Sequence, residues 1–167
     1  NLKEIARQSS GTVTFAADKA AVTGEALTVI GTRPAYDLSI SFRQNGQTVK
    51  LSNVGSVAVT LFYITGTGEQ DGTLYAVCAD DGNAVWLDKS SYDKNAKAIL
   101  FTAEHFSLYG IGYKAPPVFN DTVGHWAKSD IDFAVARGLL SGTTAATFSP
   151  NAPVTRGMFA AALGQLA

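Results

Sequence analysis

Cysteine, histidine, charge and long apolar runs are all scarce in this chain, and each scarcity removes a class of function. Cys78 is the only cysteine among 167 residues, so no intrachain disulfide and no cysteine-ligated metal cluster can form. Its strand-like surroundings suit a small buried hydrophobe better than a reactive thiol. The formal net charge is -1, which leaves no basic excess to neutralise phosphates and argues against nucleic acid as a partner. No apolar run approaches the length of a membrane span, and no signal peptide is visible. The chain starts at Asn1 without a methionine, which suggests a piece cut from a longer precursor.

Catalytic signatures are equally sparse. His105 and His125 are the only histidines, and neither sits in H-E-x-x-H; a G-x-S-x-G elbow and a phosphate-binding loop are also missing. His105 and Ser107 would share one face of a strand, but no acid is placed to orient them. Glu69, Asp71, Asp80 and Asp81 fall in loops, where turn formation and solvation account for them. Their oxygens could take calcium, but the spacing is not that of an EF-hand. The expectation is a non-enzyme with no catalytic residue, no cofactor and no metal.

What is present is apolar: 46% against 16% charged, enough for a packed core and too little charge for wholesale disorder. Asn1 to Gln8 has a helical pattern with Leu2, Ile5 and Ala6 on one face, so residues 1–10 read as the tail of a preceding helix. From Gly11 the period changes to two. Val13 and Phe15 alternate with threonines, Ala26–Ile30 follows as a second run, and Leu38, Ile40 and Phe42 share a face in the next. Asn45-Gly46 marks a two-residue hairpin, with Thr48–Leu51 returning. Val57–Ile64 is the most apolar run and reads as a central strand covered on both faces. After a Gly-rich acidic loop come Leu74–Ala79, Ala84–Leu87, a loop over Ser90–Asn95, Lys97–Thr102 and Phe106–Tyr113. This spacing predicts a mainly β fold: an antiparallel, immunoglobulin-like β-sandwich of about eight strands over residues 11–114.

Residues 115–118, with Pro116 and Pro117, form a stiff linker. Beyond it the pattern turns helical. His125–Arg137 reads as a helix with Ala127, Ile131, Ala134 and Val135 on one face, widened by Trp126 and Phe133, and Gly138 is placed to end it. Thr155 is a good N-cap for a second helix with Phe159, Ala162, Leu163 and Leu166 as its apolar stripe. Two such helices cannot enclose both apolar faces, so they are expected to pack on the sandwich, on a neighbouring chain or on further repeats.

The order Phe119, Asp121, His125-Trp126-Ala127, Ile131, Ala134, Gly138, Gly142, Phe148, Pro150, Val154-Thr155-Arg156 resembles one S-layer homology (SLH) repeat over residues 119–167. Where the family often has Ala-Glu after Thr-Arg, this chain has Gly157-Met158, so the glutamate that could close a capping box with Thr155 is missing. Upstream, Arg33–Ser39 and His105–Tyr109 resemble the β-rich module that often precedes SLH repeats in surface proteins of Gram-positive bacteria. The resemblance implies a helix-loop-helix repeat from a truncated array, located outside the cell at the surface, in the wall or S-layer. It further implies non-covalent anchoring to an anionic secondary cell-wall polysaccharide, often pyruvylated, in grooves usually shared by three repeats. Further SLH repeats or neighbouring chains are then partners, and the β-domain is a spacer.

The polysaccharide-binding candidates are Arg156, Thr155, Trp126 and Asp121. The family's Thr-Arg arginine is a usual ligand contact, and a guanidinium at a helix N-terminus can grip a carboxylate. Each candidate also has a structural reading: Arg156 as an exposed first-turn residue, Trp126 as core, Asp121 as a cap of the helix start or of the loop before it. His125 reads as a hydrogen-bonding residue, and Gly138 and Gly142 as backbone requirements. The alternative function is a carbohydrate-binding or carbohydrate-active β-domain, resting on Tyr63, Tyr75, Trp86 and Tyr92 as exposed candidates. A coplanar exposed row of those rings would favour it, and burial would favour a plain core.

Overall fold

A computed structural model describes residues 11–51 and 55–165. The helical reading of residues 1–10 and the position of Leu166 in the second helix lie outside the described residues. The chain divides into two compact units: one runs through Ile64 and resumes over Tyr75–Gly112, and the other joins Thr65–Leu74 to the chain from Tyr113 onward.

The first unit is built from antiparallel strands, as the period-two pattern predicts. Its larger sheet has the order β1-β2-β9-β5-β6, with β3 also on β2. These are Thr12–Lys19 (β1), Ala35–Gln44 (β2), Gln47–Lys50 (β3), Leu74–Asp80 (β5), Asn83–Leu87 (β6) and Leu108–Tyr113 (β9). The smaller sheet is β4-β8-β7, formed by Val57–Phe62 (β4), Ser91–Asp93 (β7) and Ala98–Ala103 (β8). The β2–β3 hairpin turns at Asn45-Gly46, whose φ values of 50° and 78° are the positive pair such a turn requires. Phe101 of β8 and Tyr109 of β9 bring the two sheets together, with ring centroids 5.2 Å apart.

Three local expectations are corrected. Ala26–Ile30 is not a strand but lies in a helix, α1 (Gly24–Ile30). Its β-branched run favours a strand locally, yet Ala26 and Ile30, one turn apart, are both fully buried against Ala35, Val77 and Ala79, with Trp86 packed beside them. Burial of one helical face outweighs a propensity difference of a few tenths of a kcal/mol per residue. The sheet accommodates α1 because β9 has Gly110 beneath it, where a Cβ would stand 2.6 Å from Ile30 Cδ1.

Val57–Ile64 is not central. β4 is an edge strand of the smaller sheet, and Phe62 is 75% exposed. The strand buried along nearly its whole length is β5, which carries Leu74 through Ala79. Finally, the loop expected at Ser90–Asn95 contains β7, paired with β8 through Ser91↔Leu100, Tyr92↔Ile99 and Asp93↔Ala98. Cys78 is buried as expected, and burial pushes its thiol pKa up, which keeps the sulfur unreactive.

Candidate functional site

The second unit contains the motif residues. Its helices are α2 (Lys128–Ala136) and α3 (Arg156–Gly164). α2 starts three residues later than the periodicity suggests, because His125 and Trp126 belong to the turn before it. His125 Nδ1 accepts from the Ala127 amide at 3.2 Å, and the Lys128 amide donates to the His125 carbonyl at 3.0 Å. The side chain of His125 thus organises the helix start, the structural role expected of it.

α2 ends where Gly138 predicts. Gly138 has φ 70°; its amide donates to Val135 O at 3.0 Å and the Leu139 amide to Ala134 O at 2.8 Å, the paired bonds of a Schellman cap. Gly142 serves a different need from positive φ. A Cβ there would stand 2.6 Å from Thr144 O and 2.8 Å from Thr147 O, and would also strike the Phe119 ring. Phe119 is buried and lies 5.6 Å from Phe148, so Gly142 lets the chain close over this aromatic pair.

Asp121 holds the loop in place. Its Oδ1 accepts from the Phe148 amide at 2.9 Å and its Oδ2 from the Ser149 amide at 2.7 Å. The donated Phe148 amide, followed by that of Ser149, holds the Asp121 carboxyl below the usual carboxylate range. Each of its oxygens thus accepts one backbone amide of the loop. Thr143, Thr144, Thr147 and Ser149 complete the loop, with Thr144 and Thr147 hydroxyls 2.6 Å apart. Because the folded pKa is depressed, the clasp contributes stability above the unfolded carboxylate pKa of about 3.9 and loses it as pH falls through the folded value. Acid titration followed by the amide shifts of Phe148 and Ser149 is expected to show the loop intact at neutral pH and released only in acid. Asp121→Asn is expected to remove that acid step.

The four candidate residues fall into two groups. Asp121 lies within electrostatic reach of the His125 ring, which is 5.6 Å from that of Trp126, so these come together ahead of α2. Trp126 is 87% exposed, which overturns its reading as core. Thr155 and Arg156 sit at the start of α3. Thr155 Oγ1 accepts from the Met158 amide at 3.2 Å, the N-cap expected of it. Arg156 is exposed and has no hydrogen bond or ion pair among the described residues. No hydrogen bond, ion pair or ring contact joins Thr155 or Arg156 to Trp126 or Asp121 among the described residues.

Two further residues were missed in the sequence. Arg137 donates from Nη2 to Leu74 O at 2.9 Å and from Nε to Gly72 O at 3.3 Å, tying α2 to the Thr65–Leu74 segment of the same unit. Its partners are backbone carbonyls more than 60 residues away, which no local pattern reveals. Asp132 is buried and binds Lys128 Nζ at 2.6 Å, while its Oδ1 has no partner. The i,i+4 spacing of that pair was legible, but its burial was not.

α3 buries none of its residues, and Phe159 and Leu163 are 61% and 51% exposed. A groove of about 220 Å³ runs between Leu139, Leu140 and the Met158–Ala161 side of α3. The aromatic row considered for the β unit does not exist. Tyr75 is buried edge-on to Trp86 at 5.4 Å, and the Tyr92 hydroxyl donates to the Tyr63 carbonyl at 3.0 Å.

Residues 118–160 match the family model of the S-layer homology domain. The chain therefore carries an S-layer homology domain, a module that anchors proteins to cell walls by binding secondary cell-wall polymers. It is also similar to an amylopullulanase of Thermoanaerobacterium thermosulfurigenes, 35% identical over 74 residues, which is 44% of this chain and 4% of that protein. The chain thus spans a small fraction of the relative's length. No solved structure matches the chain. Among the described residues no helix is long and apolar enough to cross a membrane, and the domain points to cell-surface or cell-wall association.

Proposed function

We propose that this chain is part of a non-catalytic surface protein that holds an anionic, pyruvylated secondary cell-wall polysaccharide through Arg156, with Trp126 offering a ring to sugars. Residues 119–167 act as one repeat of a longer array, and the β unit over residues 11–114 acts as a spacer. The supporting observation is that Arg156 stands exposed on the first turn of α3, its side chain without a hydrogen-bond or ion-pair partner among the described residues. A guanidinium so placed can take a carboxylate in two parallel hydrogen bonds, and the helix N-terminus favours the same charge. Asp121 supports the reading by ordering the Phe148–Ser149 loop, and its exposed carboxylate keeps lone pairs that can accept from sugar hydroxyls. Thr155 likewise serves α3 as its cap. The exposed stripe of α3 suits packing against further repeats or a neighbouring chain.

Binding of the intact protein to purified cell walls, and to their extracted polysaccharide, tests this. Arg156→Ala is expected to weaken binding about 10- to 100-fold, the worth of one charged hydrogen-bonding group. Enzymatic removal of pyruvate from the polymer should weaken the wild type and leave the variant unchanged. An intact protein that ignores both walls and polymer would overturn the proposal.

A further inference from the structure

The β unit holds an open cavity of about 500 Å³ that the anchoring reading does not use. Its size is within the ordinary range of ligand sites, about 300–1,000 Å³. It exists because the two sheets are unequal. β8 is paired along its full length on one side, from Val57↔Ala103 to Phe62↔Ala98. On its other side β7 covers only Ala98, Ile99 and Leu100. Among the described residues no strand pairs with Phe101–Ala103 on that flank, and the cavity opens there, lined by Phe101 and Thr102.

The floor is the inner face of β5 and β6, formed by Cys78, Val85 and Leu87. Val85 is 54% exposed, an apolar side chain facing an unfilled space. The rim is acidic: Asp80, Asp88 and Glu104 are all exposed, against Lys89 and His105. An unpaired strand flank above an apolar floor is the arrangement that accepts an added strand, whose alternate side chains drop into the cavity.

We propose that this flank of β8 is a strand-addition site for an extended polypeptide segment of a partner, with apolar residues at alternate positions and lysine or arginine beside them. The segment's backbone pairs with Phe101–Ala103 and lengthens the smaller sheet. Its apolar side chains cover Val85 and Leu87, and its basic groups meet Asp80 and Glu104. Backbone pairing supplies affinity, and the acidic rim selects the sequence.

The test uses the whole chain and a synthetic probe, a five-residue peptide of alternating valine and threonine with lysine at each end. Calorimetry is expected to show saturable binding, with amide shifts centred on Phe101–Ala103. Methylating the central amide nitrogens of the probe should weaken binding at least about tenfold, the loss of roughly one good hydrogen bond. Replacing its lysines by glutamates should weaken it similarly. Asp80→Lys with Glu104→Lys, both exposed positions, should invert that preference while leaving the circular dichroism of the fold unchanged. Absence of saturable binding would overturn the proposal, as would indifference to N-methylation or shifts confined to the β3 edge. So would the same footprint produced by a chitosan oligomer with no response to the peptide.

Discussion

Ile30→Ala is expected to destabilise the β unit by about 2–5 kcal/mol, the range for emptying a fully buried aliphatic site. Ile30 is fully buried between α1 and the larger sheet. Few neighbours can move into the gap: Ala26, Ala35 and Ala79 are already small, and Val77 is held in the strand ladder. Urea unfolding followed by tryptophan fluorescence measures it. Trp86 packs against this cluster and reports its loss, whereas the exposed Trp126 contributes a nearly constant signal. Leu27→Ala, on the outward side of the same helix, should cost only about 0.5 kcal/mol. Similar costs at the two positions would show that α1 does not pack as described.

The second large effect is in the S-layer homology domain. Gly142→Ala is expected to destabilise the C-terminal unit by about 1–3 kcal/mol, the cost of forcing atoms into a filled space. Two of the three groups a methyl would strike are backbone carbonyls, Thr144 O and Thr147 O, which cannot rotate aside as a side chain can. Gly138→Ala meets nothing within 4 Å, so its cost is only the left-handed backbone, about 1–2 kcal/mol. Hydrogen exchange of the α2 amides distinguishes the two. Gly142→Ala should also disturb the Phe148 and Ser149 amides clasped by Asp121, and Gly138→Ala should leave them in place. If Gly142→Ala leaves exchange unchanged, the closure over Phe119 and Phe148 is not what requires glycine there.

The motif residues were legible because their roles are local. The cap at Thr155 and the stop at Gly138 each depend on backbone groups within a few residues, so residue type and spacing carry the information. The hairpin at Asn45-Gly46 is legible for the same reason. Trp126 was not. The helical reading from His125 to Arg137 puts it on the apolar face and suggests core, but α2 begins only at Lys128, so the ring does not share the buried face of Ile131 and Ala136. Asp121 was read in part: a capping role near the loop was expected, but its partners at Phe148 and Ser149 lie 27 and 28 residues on.

The sequence by itself determined the mainly β character of the first unit, the hairpin, the change to helices near the linker, and the S-layer homology motif with Arg156 in it. The first three follow from period, turn chemistry and caps, interactions that act within one element, and the motif from the resemblance of its residue order to a known family. The tertiary structure alone decided that Ala26–Ile30 is helical, that β4 is an edge while β5 is buried, and that Arg137 binds carbonyls of Thr65–Leu74. It also decided that β7 covers only half of one β8 flank. Those outcomes depend on which surfaces meet across long stretches of chain. Burial of a whole face there outweighs the small preferences that neighbouring residues express.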